Sequence, residues 1–120
     1  HIDTYISRHP QMYCRVKLPL ANLITDPAYL DQDPAMRAFV LHHNTHVDFT
    51  LCNAIDNPVL AIELDGRFHN TPEQITRDEK KDAAIRHMRI PLWRLSSKAA
   101  LTAGEFERQI DTLLNQSVFS

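Results

Sequence analysis

The sequence predicts an α/β domain, a mixed β-sheet with a central hairpin, flanked by helices. Three observations predict it. HVDFTLC (46–52) alternates, with Val47, Phe49 and Leu51 on one face and His46, Asp48 and Thr50 on the other, which is the period of a strand. PVLAIELD (58–65) is almost continuously apolar and rich in Val, Ile and Leu, as expected of a central strand covered on both faces. NAIDN (53–57) between them has the length and composition of a hairpin loop, and helical patterns follow the hairpin.

Taken in order, MYCRVKLP (12–19) combines β-branched and aromatic residues with a basic alternate face and predicts a strand, placed at an edge because Pro19 ends it. LANLI (20–24) predicts one helical turn, and TDPAYLDQDPA (25–35), rich in Asp and Pro, predicts a loop. Asp33 followed by Pro34 predicts an N-cap and first helical position for PAMRAFVLHH. After the hairpin, TPEQITRDEKKDAAIRHM (71–88) offers two overlapping capping boxes, Thr71 with Gln74 and Thr76 with Glu79, so a helix starts at one of them. IPLWRLS (90–96) predicts a short strand with Trp93 in the core. TAGEFERQIDTLLNQ (102–116) opens with the capping box Thr102/Glu105 and carries Phe106, Ile110, Leu113 and Leu114 at helical spacing.

At 120 residues and 43% hydrophobic content the chain has enough apolar material for one core, and a single domain over 1–120 is expected. No apolar run approaches the ~20 residues of a membrane span, and the first residues lack the basic-then-apolar pattern of a secretory signal. Cys14 and Cys52 have no CxxC spacing, which counts against a disulfide framework or a zinc ribbon. The expectation is a cytoplasmic chain in a reducing compartment. A net charge of −2 excludes gripping nucleic acid by bulk charge, since domains that do so tend toward a pI above ~9. Any nucleic-acid role must be local.

The end of the second hairpin strand carries chemistry. If 46–65 is symmetric about its loop, antiparallel partners have numbers summing to about 111, and Asp48 lies opposite Glu63. Directly opposed residues have Cβ atoms ~4.5–5.5 Å apart, and Glu63 and Asp65 share a face by alternation. Three carboxyls are therefore expected on one patch, where like charges need a proton or a cation between them. Oxygen-rich sets of this kind suit Mg²⁺ or Mn²⁺. Gly66, one of two glycines, ends the strand and permits close approach of a ligand; His69 follows within reach as a proton donor, acceptor or ligand. On the next helix, Ala84, Ile85 and Met88 are the expected sheet-facing residues. Lys81 continues that stripe one turn toward the N-terminus, with Arg77 one turn earlier. Both bring positive charge toward the acids, the pattern of a site that cleaves phosphodiesters with metal-held carboxylates and a cation.

V-D-F, then I-E-L-D-G-x-x-H, then R-D-x-x-K-D-A and I-P-L-x-R resemble the restriction-endonuclease-like, PD-(D/E)XK superfamily, in its branch similar to very-short-patch-repair endonucleases; the nearest match is a bacterial domain of unknown function, 2726. The resemblance covers roughly residues 12 to 95 and implies a restriction-endonuclease-like sheet and a Mg²⁺-dependent (or Mn²⁺-dependent) nuclease acting on DNA. It makes Asp48 the first metal-binding aspartate, Glu63 the acid of the second motif and His69 the histidine of the short-patch-repair branch. Asp65 stands where that superfamily's lysine usually lies, so Lys81 or Arg77 is expected to supply the charge from the helix. Arg67, Arg77 and Arg94 are the expected substrate contacts. Such folds often carry an acidic residue on a helix ahead of the first strand; only about eleven residues precede it here, so a trimmed helix is the expectation. Further domains attached in a longer protein fit this reading.

Plainer readings stand beside these. Asp48 and Glu63 also fit the polar face of an ordinary hairpin, His69 a loop residue, and Lys81 and Arg77 a solvated helix end paired with Asp78 and Asp82. Arg15 and Lys17 read as a solvated face. HHNTH (42–46), with Cys52 nearby, raises structural zinc, though four ligands are not visible. The alternative to an enzyme is a catalytically inactive module of the same fold that docks nucleic acid or a protein, favoured by the missing lysine at 65.

Overall fold

The computed structural model describes residues 1–24, 26–42, 44–65, 71–96 and 100–119, leaving aside the side chains of 65 and 117–119. The elements run α1 (Ile2–Arg8), β1 (Tyr13–Pro19), α2 (Leu20–Leu23), α3 (Pro27–Gln32), α4 (Pro34–Leu41), β2 (His46–Cys52), β3 (Pro58–Asp65), α5 (Pro72–His87), β4 (Leu92–Ser96) and α6 (Ala103–Phe119). The four strands form one sheet in the order β1-β2-β3-β4. β1 and β3 flank β2 antiparallel, and β4 joins β3 in parallel through the α5 crossover. The sheet is mixed, β1 is an edge, and β3 is interior, as the sequence predicts.

The helix boundaries follow local chemistry. Asp33 accepts the amides of Ala35 and Met36, with Pro34 at the first helical position. Of the two possible starts for α5 the chain uses Thr71, whose hydroxyl accepts the amide of Gln74 at 3.2 Å with Pro72 next; Thr76 instead donates to the carbonyl of Pro72 inside the helix. Thr102 accepts the amide of Glu105 and starts α6.

One expectation is corrected here. The stretch read as a loop contains α3, because Asp26 accepts the amide of Ala28 and Pro27 takes the first helical position, the same N-cap and proline device as at Asp33 and Pro34. The residues ahead of β1, to which the sequence reading assigns no element, form the helix α1, held by Tyr5, which is buried at 2% exposure.

Helices cover both faces of the sheet. On one side Leu20, Leu23, Val40, Ala61, Ala84 and Ile85 form a core beneath α2, α4 and α5, with Met88 packed on it. On the other Tyr5, Leu51, Leu60, Ile62, Phe106 and Ile110 form a second core beneath α1 and α6, joined by Trp93. Covering both faces requires β3 to be apolar throughout, and its Leu60, Ala61 and Ile62 are all buried. Thr50, on the expected polar face of β2, is fully buried as well. No helix among the described residues is long and apolar enough to cross a membrane.

Candidate functional site: a fork between two strands

The β2/β3 register pairs Leu51↔Leu60, Thr50↔Ala61 and Phe49↔Ile62, each summing to the expected 111, whereas Cys52↔Pro58 beside the loop sums to 110 because the register shifts by one between Leu51 and Cys52. The next step sets Asp48 across from Glu63. Here the two strands take different neighbours: β2 continues with β1 through Leu18↔Val47 and Pro19↔His46, and β3 with β4 through Glu63↔Arg94 and Asp65↔Ser96. The amides released at the fork must find acceptors, and the two acids provide them. Asp48 N–H donates to Glu63 Oε1 at 3.2 Å, and Leu64 N–H donates to Asp48 Oδ2 at 2.9 Å.

Two lysines close the cluster. Lys81 of α5 donates to Glu63 Oε2 at 3.3 Å and to the His46 carbonyl at 3.0 Å. It stands one turn before the buried Ala84 and Ile85 and is itself largely covered, so it is no solvated helix end. Lys17 of β1 donates to Asp48 Oδ1 at 2.7 Å. Its backbone is left-handed, φ 54°, a conformation side chains with a Cβ adopt at a cost of order 1–3 kcal/mol. The expectation that Val47, Phe49 and Leu51 share one face of β2 is corrected: Val47, beside Lys17, packs in the α5-side core, whereas Phe49 and Leu51 pack in the α6-side core.

The two acids have opposite electrostatic settings. Burial pushes the Glu63 carboxyl above its ordinary value, and the Asp48 charge adds to the rise against the pull of Lys81. Burial also opposes ionisation of Asp48, but the bonds from Lys17 and the Leu64 amide, with both lysine charges, outweigh it and hold that carboxyl below its ordinary value. The difference follows from exposure: Glu63 is 5% exposed, deeper than Asp48.

Arg94 sits in register beside Glu63, but its guanidinium reaches α5. Nε donates to Asp82 Oδ1 at 3.1 Å, and Nη1 lies 3.7 Å from Asp78 Oδ1. The carboxylates expected to pair with Lys81 and Arg77 thus bind β4 to α5 instead. Arg77 lines a cleft of about 620 Å³ between α4 and α5, together with Phe39, His42, His46, Lys80 and Lys81. Lys81 and His46 connect it to the fork, and neither Asp48 nor Glu63 is part of its lining. Asp65 is two positions beyond Glu63 on β3, and Gly66, Arg67 and His69 lie outside the described residues.

Lys17 was missed by the sequence reading, which places it on a solvated face. Its contact depends on the β1/β2 register, and three helices intervene between those strands. Arg15, read in the same way, pairs with Asp56 of the hairpin loop at 2.9 Å. Cys52 is too far to share a zinc ion with His46: it lies six residues along β2 from it, roughly 20 Å at the rise of a strand, and both cysteines are free.

Asp48 and Glu63 offer only oxygen atoms, a donor set that fits Mg²⁺ or Mn²⁺. Every one of those oxygens already accepts a hydrogen bond, and the Lys17 ammonium lies where a cation on Asp48 Oδ1 would compete with it.

A four-stranded mixed sheet between helical layers, with paired acids and lysines where two strands part, defines a mixed α/β domain with a charged site at strand ends. The chain belongs to the family described as Protein of unknown function (DUF2726), whose model matches residues 1–113. No curated protein and no solved structure matches it.

Proposed function

We propose that this chain is a divalent-metal-dependent nuclease domain of the restriction-endonuclease-like kind, hydrolysing phosphodiester bonds in DNA. The observation that carries the reading is the fork: Asp48 and Glu63, on separate strands, meet beside Lys81, which also lines a cleft with Arg77 and Lys80. Asp48 and Glu63, with Asp65 next on the strand, would hold Mg²⁺ or Mn²⁺. When bound, the ion supplies an activated water and neutralises charge on the phosphate.

The chain's own residues do the rest. The main-chain amides of Asp48 and Leu64 fix both carboxylates, so the donor atoms do not wander. Lys81 opposes the burial that raises the Glu63 carboxyl and sets a positive charge beside the place where phosphate charge develops. Arg77 and Lys80 offer the backbone of a nucleic acid sequence-independent contacts, and Arg94 holds α5, and Lys81 with it, against β4.

The test is calorimetric titration of Mg²⁺ and Mn²⁺ into the chain and into Asp48→Ala, followed by nicking assays on plasmid and oligonucleotide DNA. Micromolar to millimolar binding and nicking, both lost in the variant, support the proposal; metal binding indifferent to the substitution overturns it. The second reading, an inactive docking module, is favoured by the Lys17–Asp48 pair, which neutralises the acid without a metal. DNA or protein binding with no response to either metal selects it.

A further inference from the structure

On the face of the sheet away from the fork, α1 and α6 meet, and three side chains with metal-binding atoms converge there. His9 closes the C-terminus of α1, and Glu107 and Asp111 lie one turn apart on α6. One donor atom from each lies within 4.8 Å of the others.

Each of the three is oriented by a partner outside the group. His9 Nδ1 lies 2.8 Å from the carbonyl oxygen of Tyr5; a carbonyl only accepts, so Nδ1 carries the proton and, in the neutral ring, Nε2 presents its lone pair. The imidazole also stacks on the Tyr5 ring, 3.9 Å between centroids. Arg8 donates to Glu107 Oε2 at 3.0 Å, leaving Oε1 turned toward His9 Nε2. The Tyr5 hydroxyl donates to Asp111 Oδ1 at 3.1 Å. Ligating histidines and carboxylates are held by outer contacts of this type, a ring N–H on a carbonyl above all.

The distance from His9 Nε2 to Glu107 Oε1 is 3.9 Å. That is too long for a hydrogen bond, which ends near 3.2 Å for nitrogen and oxygen. It is within reach of a shared ion, because two ligands bonded at ~2.0–2.2 Å stand at most ~4.4 Å apart; the Asp111 oxygen, within 4.8 Å of both, reaches the same ion with a small shift of its exposed side chain. Without an ion, two carboxylates one turn apart repel, and a single arginine offsets one of them. An imidazole beside two carboxylates favours Zn²⁺ and neighbouring transition metals over Mg²⁺, opposite to the all-oxygen fork.

We propose that His9, Glu107 and Asp111 bind a divalent transition-metal ion, Zn²⁺ first among them, in a structural site that ties α1 to α6. Glu107 and His9 are partly covered and Asp111 is exposed, so water completes the coordination.

The test titrates Zn²⁺ and Co²⁺ into the metal-free chain, His9→Gln, Glu107→Gln, Tyr5→Phe and Asp48→Ala, with circular dichroism to establish that each variant is folded. The proposal expects micromolar 1:1 binding of Zn²⁺, a rise in Tm on binding, and a visible Co²⁺ spectrum of low coordination number. All three are lost in His9→Gln and Glu107→Gln and kept in Asp48→Ala, while Tyr5→Phe weakens binding about tenfold. Zn²⁺ binding unchanged in folded His9→Gln and Glu107→Gln, or no micromolar binding by the parent chain, overturns it. Loss in Asp48→Ala alone assigns the metal to the fork and overturns this site while leaving the nuclease proposal standing.

Discussion

The main-chain amide of Asp48 donates to the carboxylate of Glu63 at 3.2 Å, while the carboxylate of Asp48 receives the amide of Leu64, the residue after Glu63. Each acid does for the opposite strand what a ladder carbonyl does elsewhere in the sheet. Both are therefore positioned by the backbone, and the charge they bring is balanced by Lys17 on one side and Lys81 on the other.

The two acids shift the pH dependence of stability in opposite directions. Asp48, held below its ordinary 3.8, contributes stability that is present above that value and lost as pH falls through the lowered one. Glu63, pushed above its ordinary 4.5, contributes stability that is present below that value and lost as pH rises through the raised one. Urea unfolding across acid pH is expected to show the margin of the parent chain over Asp48→Asn growing with pH and its margin over Glu63→Gln shrinking. Margins that move in the same direction refute this assignment of charges.

Lys81→Met strands a buried carboxylate. Breaking a buried pair from one side destabilises by about 3 kcal/mol or more, and both side chains here are mostly covered. The loss is expected to be smaller at acid pH, where Glu63 takes up a proton instead, and smaller again in the Glu63→Gln/Lys81→Met double variant. A double-mutant cycle by urea denaturation checks it; additive losses contradict the pairing.

Lys17→Gly removes an exposed ion pair worth less than about 1 kcal/mol and a left-handed backbone strain of comparable or larger size, about 1–3 kcal/mol. The variant is expected to melt at or above the parent temperature. It also clears the ammonium from Asp48 Oδ1, so Mg²⁺ affinity measured by calorimetry is expected to rise. A fall in both quantities shows Lys17 to be a supporting part of the site instead of a competitor for it.

Thr50 Oγ1 is buried with no hydrogen-bond partner among the described residues. Such a hydroxyl forgoes its bonds to water, a loss of about 1–3 kcal/mol, and valine has nearly the same shape. Thr50→Val is expected to raise stability by about 1 kcal/mol, read as a higher denaturation midpoint at unchanged m. A drop points to a hidden partner for the hydroxyl.

Much of the fold was legible in local pattern. The five-residue loop and the apolar run to Glu63 carried the meeting of residues 48 and 63, although simple alternation misplaced Val47 and gave no sign of the register shift at Cys52. The stripe of Ala84 and Ile85 carried Lys81 to the sheet. The same reasoning overlooked α3, although Asp26 and Pro27 repeat the device read at Asp33 and Pro34, and it did not assign a helix to the residues around Tyr5, although Ile2, Tyr5 and Ile6 stand at helical spacing and pack in one core.

The sequence by itself determined what rests on neighbours: the helix starts at Asp33 and Thr102, because a side chain caps amides two or three residues on, and the presence of the hairpin, because a short loop brings consecutive strands together. Only the tertiary structure decided which cation meets which acid. Lys17 and Asp48 are 31 residues apart, joined through three helices, and Arg94 rather than Lys81 took Asp82 because packing set β4 against α5. Contacts between distant segments are chosen by burial of the whole core, and no spacing along the chain records that choice.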